Sequence, residues 1–268
     1  MIALLSLCIV MHLAVEQIAG NAGSSAEVMG PVGVERNKTS RGYYSECGQV
    51  GESLKLVSWL PIKAKYKQLP YTAHIKVGFR PCGGAILSNR HILTTIECAK
   101  KGAEIRYGDW ETPNSVEDFR VDTHSGLAMI KTEDEISLDD DGFTNCIESK
   151  KLNYDKLILA TGISGCEEVG ARSFLKYHWH EIMSMSPEEV RKQPNSQPRW
   201  IDTNEAIVTE DQYQIAYAGW PLVQQKNSKQ HVLVGIAHTR YSRCTGSAYI
   251  QVGKHADWIK SALGKGAQ

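Results

Sequence analysis

The sequence predicts an all-β fold closed by a short C-terminal helix, on three observations. From residue 54 onward, strand-length apolar runs rich in β-branched residues recur between turn residues, at the spacing of a barrel or sandwich. Helical signals are confined to residues 186–192, where Ser186 caps and Pro187 enters the first turn, and to residues 255–263. Strands do not alternate with long helices, which excludes a doubly wound α/β enzyme.

The elements follow in order. Residues 2–15 are almost entirely apolar, broken only by Ser6 and His12. The run is shorter than the ~20 residues a bilayer span needs and reads as the hydrophobic region of a secretory signal peptide. Small residues at Ala19 and Gly20 suit its cleavage, so residues 1–20 are expected to be removed and the mature chain to be secreted and extracellular, with no membrane span. Residues 21–53 form a leader; its Gly, Ser and Asn content up to residue 45 predicts flexibility, and Asn37-Lys38-Thr39 is a glycosylation sequon. The strand-rich domain occupies residues 54–264. Its predicted strands lie at 54–60, 73–79, 84–87, 91–95, 127–131, 157–161, 215–223, 232–238 and 248–252.

Charge and composition narrow the function. Lysine plus arginine and aspartate plus glutamate each number 30, so the net charge is zero. A nucleic-acid binder draws its affinity from a positive surplus that this chain lacks. No phosphate-binding glycine loop is present, and no cofactor is expected. The acidic runs Glu133-Asp134-Glu135 and Asp139-Asp140-Asp141 lack the spacing of a calcium loop and read as a solvated loop. Of seven cysteines, Cys8 falls in the signal segment. The remaining six, Cys47, Cys82, Cys98, Cys146, Cys166 and Cys244, are an even set in a secreted chain and predict disulfides, whose connectivity counting alone leaves open. None are close enough together for a structural zinc site, and no metal is expected.

A series of ordered stretches resembles the trypsin-like serine proteases. Cys82-Gly83-Gly84-Ala85-Ile86-Leu87 resembles the CGGxLI strand, and residues 91–98, ending Thr95-Ile96-Glu97-Cys98, resemble the segment ending LTAAHC. Ile105-Arg106-Tyr107-Gly108-Asp109-Trp110 is similar to the VRLGE-type strand. Gly126-Leu127-Ala128-Met129-Ile130-Lys131 resembles DIALIKL, and Ala218-Gly219-Trp220-Pro221-Leu222-Val223 resembles SGGPLV. Val234-Gly235-Ile236 and residues 249–259 resemble the closing strands and the helix ending in DWI. Cys47-Gly48 with Lys55-Leu56-Val57 resembles the activation region. The resemblance covers about residues 47 to 263 and implies two six-stranded antiparallel β-barrels packed together.

Carried over residue by residue, the resemblance implies a dead site. Acyl transfer in this family needs a Ser nucleophile, a His base and an Asp that orients the His. The His position holds Glu97, the Asp position Gly126 and the Ser position Ala218. Ala218 has no oxygen to attack a carbonyl, and Gly126 has no side chain to orient anything. The oxyanion donors would come from Ala216 and Ala218, with Ala216 in place of the usual glycine. Activation is implied to be lost too. The carboxylate that receives the new amino terminus is replaced by Tyr217, and IVGG reads Leu56-Val57-Ser58-Trp59. A new ammonium formed by cleavage after Lys55 would be buried unpaired. At the specificity pocket, the floor position holds Gln212, and the walls hold Arg240 and Ser247.

The resemblance also pairs Cys82 with Cys98, and Cys47 with Cys146 as the tether from leader to barrel. Cys244 stands at the family position of a bridging cysteine whose usual partner position is Gln214. It leaves Cys166 as the expected partner, a departure from the family. Trp220, beside the nucleophile position, either plugs the old site or protrudes toward a partner.

What the resemblance implies is a catalytically inactive protease homologue that acts by binding. The expected partners are other secreted proteins (proteases, inhibitors or receptors), in an immune or reproductive network, with the chain as cofactor, decoy or adaptor. Two other readings stand beside it. One is an active hydrolase rebuilt around Glu97 or His238 as base. The other is a ligand-binding module in a remodelled cleft.

Overall fold

A computed structural model describes residues 28–29, 47–50, 62–63, 68–108, 113–136, 146–148, 158–161, 163–165, 178–182, 206–209, 213–215, 218–240 and 247–264. In chain order the first strands are β1 (Val28–Met29), β2 (Ile62–Lys63), β3 (Thr72–Val77), β4 (Arg80–Ile86), β5 (His91–Thr95), β6 (Glu104–Tyr107), β7 (Asn114–Asp122) and β8 (Leu127–Thr132). Then follow β9 (Cys146–Glu148), β10 (Ile158–Thr161), β11 (Ile163–Gly165), β12 (His178–Ile182), β13 (Ala206–Thr209), β14 (Tyr213–Ile215), β15 (Pro221–Asn227), β16 (Gln230–Arg240) and β17 (Ser247–Gln251). The helix α1 (Ala256–Leu263) closes the order. The fold is all-β with one short terminal helix, as the sequence predicts.

The first half is a closed antiparallel barrel in the order β3-β4-β5-β8-β7-β6. Successive side chains of a strand point to opposite faces, and here both faces of the central strands are covered. On β5, Ile92 points into the barrel cluster with Ile75, Ile105 and Ile130, while Leu93 joins a second cluster with Val223, Leu233 and Ile236. On β8, Ala128 and Ile130 face inward, and Leu127 and Met129 face the second half. That double burial explains why these strands read as continuous apolar runs. The second cluster continues to Ile259, Ala262 and Leu263 of α1, with Trp258 half-buried against it.

The second half is a nine-stranded sheet in the order β1-β9-β16-β15-β10-β12-β2, with β17 on β16 and β13 on β17; β11 and β14 form a separate pair. Among the described residues this half is a sheet and not a second closed ring like the first. The ladders are antiparallel except β9 against β16.

Four differences from the sequence reading have local causes. The run predicted as one strand over 215–223 is two strands, because the chain turns at Ala218-Gly219, where Gly219 sits at φ +87°. β7 was not foreseen, since its outward face carries Glu117, Asp118 and Arg120 and hides the alternation. Ahead of the helical signal at 186–192, an unforeseen strand, β12, pairs with β10 and β2. In the leader, Val28 and Met29 pair with Glu148 and Ile147 of β9. The predicted elements at 1–20, 54–60 and 186–192 lie outside the described residues.

The leader is also tied down further on. Cys47 is bonded to Cys146. Val50 donates its N–H to the Lys229 carbonyl at 3.0 Å, and His231 donates its own to the Gly48 carbonyl at 2.7 Å. No helix among the described residues is long and apolar enough to cross a membrane.

Candidate functional site

The site is built where three loops meet between the two halves. β5 runs into a 3-10 turn, Ile96–Cys98, which exposes Glu97 and buries Cys98. Cys98 is bonded to Cys82 of β4, with Cα atoms 5.8 Å apart. The turn between β7 and β8 closes through a bond from Gly126 N to the Asp122 carbonyl at 2.9 Å. Its glycine has φ +81° and presents its carbonyl to Ile96 N at 3.0 Å. The third loop carries Ala218. Its carbonyl accepts from Gly83 N at 2.9 Å and lies 3.7 Å from Cys98 Sγ. Glu97, Gly126 and Ala218, far apart in sequence, are therefore brought together around one seam.

Backbone stitching holds that seam. Gly219 N donates to the Ala237 carbonyl at 2.8 Å, and Ala237 N donates to the Trp220 carbonyl at 2.8 Å. A side chain at Gly219 would collide with the Gly83 carbonyl oxygen and with Thr94 Oγ1, so the approach requires glycine for space as well as for its positive φ. Thr94 Oγ1 donates to the Gly83 carbonyl at 2.7 Å, and Thr95 Oγ1 lies 3.3 Å from Cys98 Sγ. Ser125 Oγ donates to Asp122 Oδ2 at 2.6 Å. These three hydroxyls are thus engaged, and both threonines are buried.

His238 stands beside Gly126, at a distance that leaves room for a Cβ there. A Cβ built on Gly126 would lie 3.6 Å from His238 Cδ2 and Nε2, and 3.7 Å from Ile250 Cδ1. His238 keeps an exposed edge, yet partial burial of its ring lowers its pKa from 6.5, and the nearby Glu97 carboxylate acts in the opposite direction.

Trp220 does not protrude. It is buried, with its indole against Gly83 and edge-on to His74, ring centroids 4.6 Å apart at 83°. Of the two alternatives for this residue, burial rules out the exposed contact. Burial also pulls the His74 imidazole down to about 3. A second buried histidine, His231, has Nδ1 2.7 Å from the Tyr71 hydroxyl and a pKa lowered to about 4 by burial.

Of the pocket positions, Arg240 and Ser247 stand directly opposite each other on β16 and β17. Gln212 lies outside the described residues, as do Ala216, Tyr217, Lys55 and residues 56–59. So do Asn37, Cys166 and Cys244. The bonds Cys82–Cys98 and Cys47–Cys146 are those the resemblance implies.

Sequence reasoning placed His238 beside the site but missed how closely it approaches Gly126. It also missed the His74–Trp220 stack. The available signal was substitutional: a glycine at a position needing a carboxylate, and a histidine in the facing strand.

Solved structures share this architecture. Kallikrein-related peptidase 10 superposes with a TM-score of 0.57 at 18% identity, covering 73% of this chain and 96% of its own. A structure titled HL collagenase superposes with a TM-score of 0.62 at 15% identity, covering 75% of this chain and 96% of its own. At those identities the likeness carries the fold alone. No curated protein sequence matches the chain. The family model Trypsin matches residues 62–259. That match spans more than half of the chain and includes every part of the seam described above, and the chain belongs to the trypsin family.

Proposed function

We propose that this chain is a secreted, catalytically inactive trypsin homologue that works by binding other extracellular proteins, as a cofactor, decoy or adaptor. The observation that carries the reading is Ala218 at the position of the nucleophile. Acyl transfer needs an oxygen there, and a methyl group forms no acyl bond. Glu97 and Gly126 at the other two positions agree. When residues act as a unit, loss of one member already removes most of the rate, and a base without a nucleophile contributes little. The engaged hydroxyls of Thr94, Thr95 and Ser125 speak against a rebuilt nucleophile in the described part of the seam. Secretion is supported by the apolar segment at residues 2–15 and by the disulfides, which persist in oxidising compartments.

The test is turnover. The protein collected from the medium of expressing cells is assayed on denatured casein and on chromogenic ester substrates, before and after trypsin treatment. No turnover above buffer in either state is expected. Turnover that scales with this protein and survives removal of added trypsin would overturn the reading.

A further inference from the structure

Phe79 is fully exposed, at 103% of its reference area, whereas the next exposed large apolar residue among those described, Val121, reaches only 40%. Its placement is built, not accidental. Val77 faces Arg80 across the β3–β4 hairpin, which leaves Gly78-Phe79 as a two-residue turn. Gly78 has φ +60°, as the first central residue of the primed turns favoured in such hairpins does. Below the tip, Ile75 faces Cys82, and the Cys82–Cys98 bond braces the base. The aromatic ring is held out on a short, braced support.

Cations surround it. Lys76 and Arg80 flank the tip on the hairpin itself, and both are exposed. Lys76 stands opposite Glu104, the first residue of β6. The turn that enters β6, closed by Ala103 N on the Lys100 carbonyl at 3.1 Å, therefore lies at the same end of the barrel. It adds exposed Lys100 and Lys101. Glu104, facing Lys76, pairs with Arg106. Among the described residues none of these four cations is in an ion pair. A chain of zero net charge thus concentrates positive charge around the most exposed aromatic side chain among the described residues.

We infer that this end of the barrel is a docking surface for an acidic protein segment that offers an apolar pocket to Phe79. A single rigid aromatic ringed by cations is the make-up of an interface hot spot, where one anchor is desolvated and the surrounding charge steers the encounter. Membrane binding calls for a broad amphipathic face, which one ring does not supply. The inference does not depend on the site being inactive and would hold for an active chain.

The experiment is a displayed random-peptide library selected on the immobilised full secreted chain and counter-selected on the Phe79→Ser variant. Enriched peptides are then titrated by fluorescence anisotropy against the wild type, Phe79→Ser and Lys76→Glu/Arg80→Glu. Circular dichroism and thermal melting check that both variants fold. The expected peptides carry Asp or Glu around an apolar residue. Phe79→Ser weakens them by about tenfold or more, and the charge reversal weakens them and removes most of the salt dependence. Peptides indifferent to both variants, or no enrichment over the counter-selected variant, overturn the inference. So does binding to phosphatidylserine vesicles that Phe79→Ser abolishes while no peptide is enriched, which would assign the surface to membranes.

Discussion

The seam between the two halves and the tip of the β3–β4 hairpin use aromatic residues in opposite ways. In the seam, Trp220 is buried against Gly83 and His74, and the bond from Gly83 N to the Ala218 carbonyl ties its loop to the facing half. At the tip, Phe79 touches nothing that its removal would leave uncovered. In the reading proposed here the seam keeps the frame of a catalytic site without its nucleophile. The tip has no framework role and keeps an expensive exposed ring. The difference teaches where selection for binding and selection for folding act: a seam residue is constrained by what it packs against, and a tip residue only by what it could meet.

The comparison predicts a gradient of effects. Gly219→Ala should be the most severe, because the new methyl collides with backbone and with Thr94 while φ stays positive. A loss of more than about 3 kcal/mol, or failure to accumulate in the medium, is expected; urea denaturation measures it. Removing the Cys82–Cys98 bond by a double Ala substitution should cost about 3 kcal/mol, given a sequence separation of 16. It should also loosen the hairpin that holds Phe79, measurable as faster amide exchange in β4.

Acid should act on the buried histidines. His231 is held at about 4 and His74 at about 3, against 6.5 for an exposed imidazole. As the pH falls below 6.5 the unfolded chain takes up protons that the folded chain refuses, so stability falls with falling pH. The loss continues until about pH 4 for His231 and about pH 3 for His74. Melting temperatures across this window should fall steadily, and His231→Gln should flatten the slope. An unchanged slope would show that His231 is not the titrating group. At the other end of the gradient, Phe79→Ser should change stability by less than about 0.5 kcal/mol. A larger loss would mean that the tip has a packing role and that the contrast with the seam fails.

How much of this was legible in the sequence depends on how local the cause was. β5 and β8 were, because burial on both faces leaves unbroken apolar runs. The positions of Glu97, Gly126 and Ala218 were, because each sits inside a short ordered motif. β7 was not, because its outer face is charged and its alternation weak. The approach of His238 to Gly126 was not, since it joins two halves of the fold and no local pattern encodes it. Phe79 looked like the last residue of an apolar run. Only the hairpin register, with Val77 opposite Arg80, turns it out into solvent.

The central claim, a retained frame around an absent nucleophile, is tested most directly by a fluorophosphonate probe. It is applied to the secreted wild type before and after trypsin treatment, alongside Ala218→Ser and the triple variant Glu97→His/Gly126→Asp/Ala218→Ser. The wild type should take no label in either state. Ala218→Ser alone should also stay unlabelled, because Gly126 supplies no carboxylate to orient a base. Stoichiometric labelling of the wild type, mapped to a residue of this chain, would contradict the account and show a nucleophile working elsewhere in the cleft.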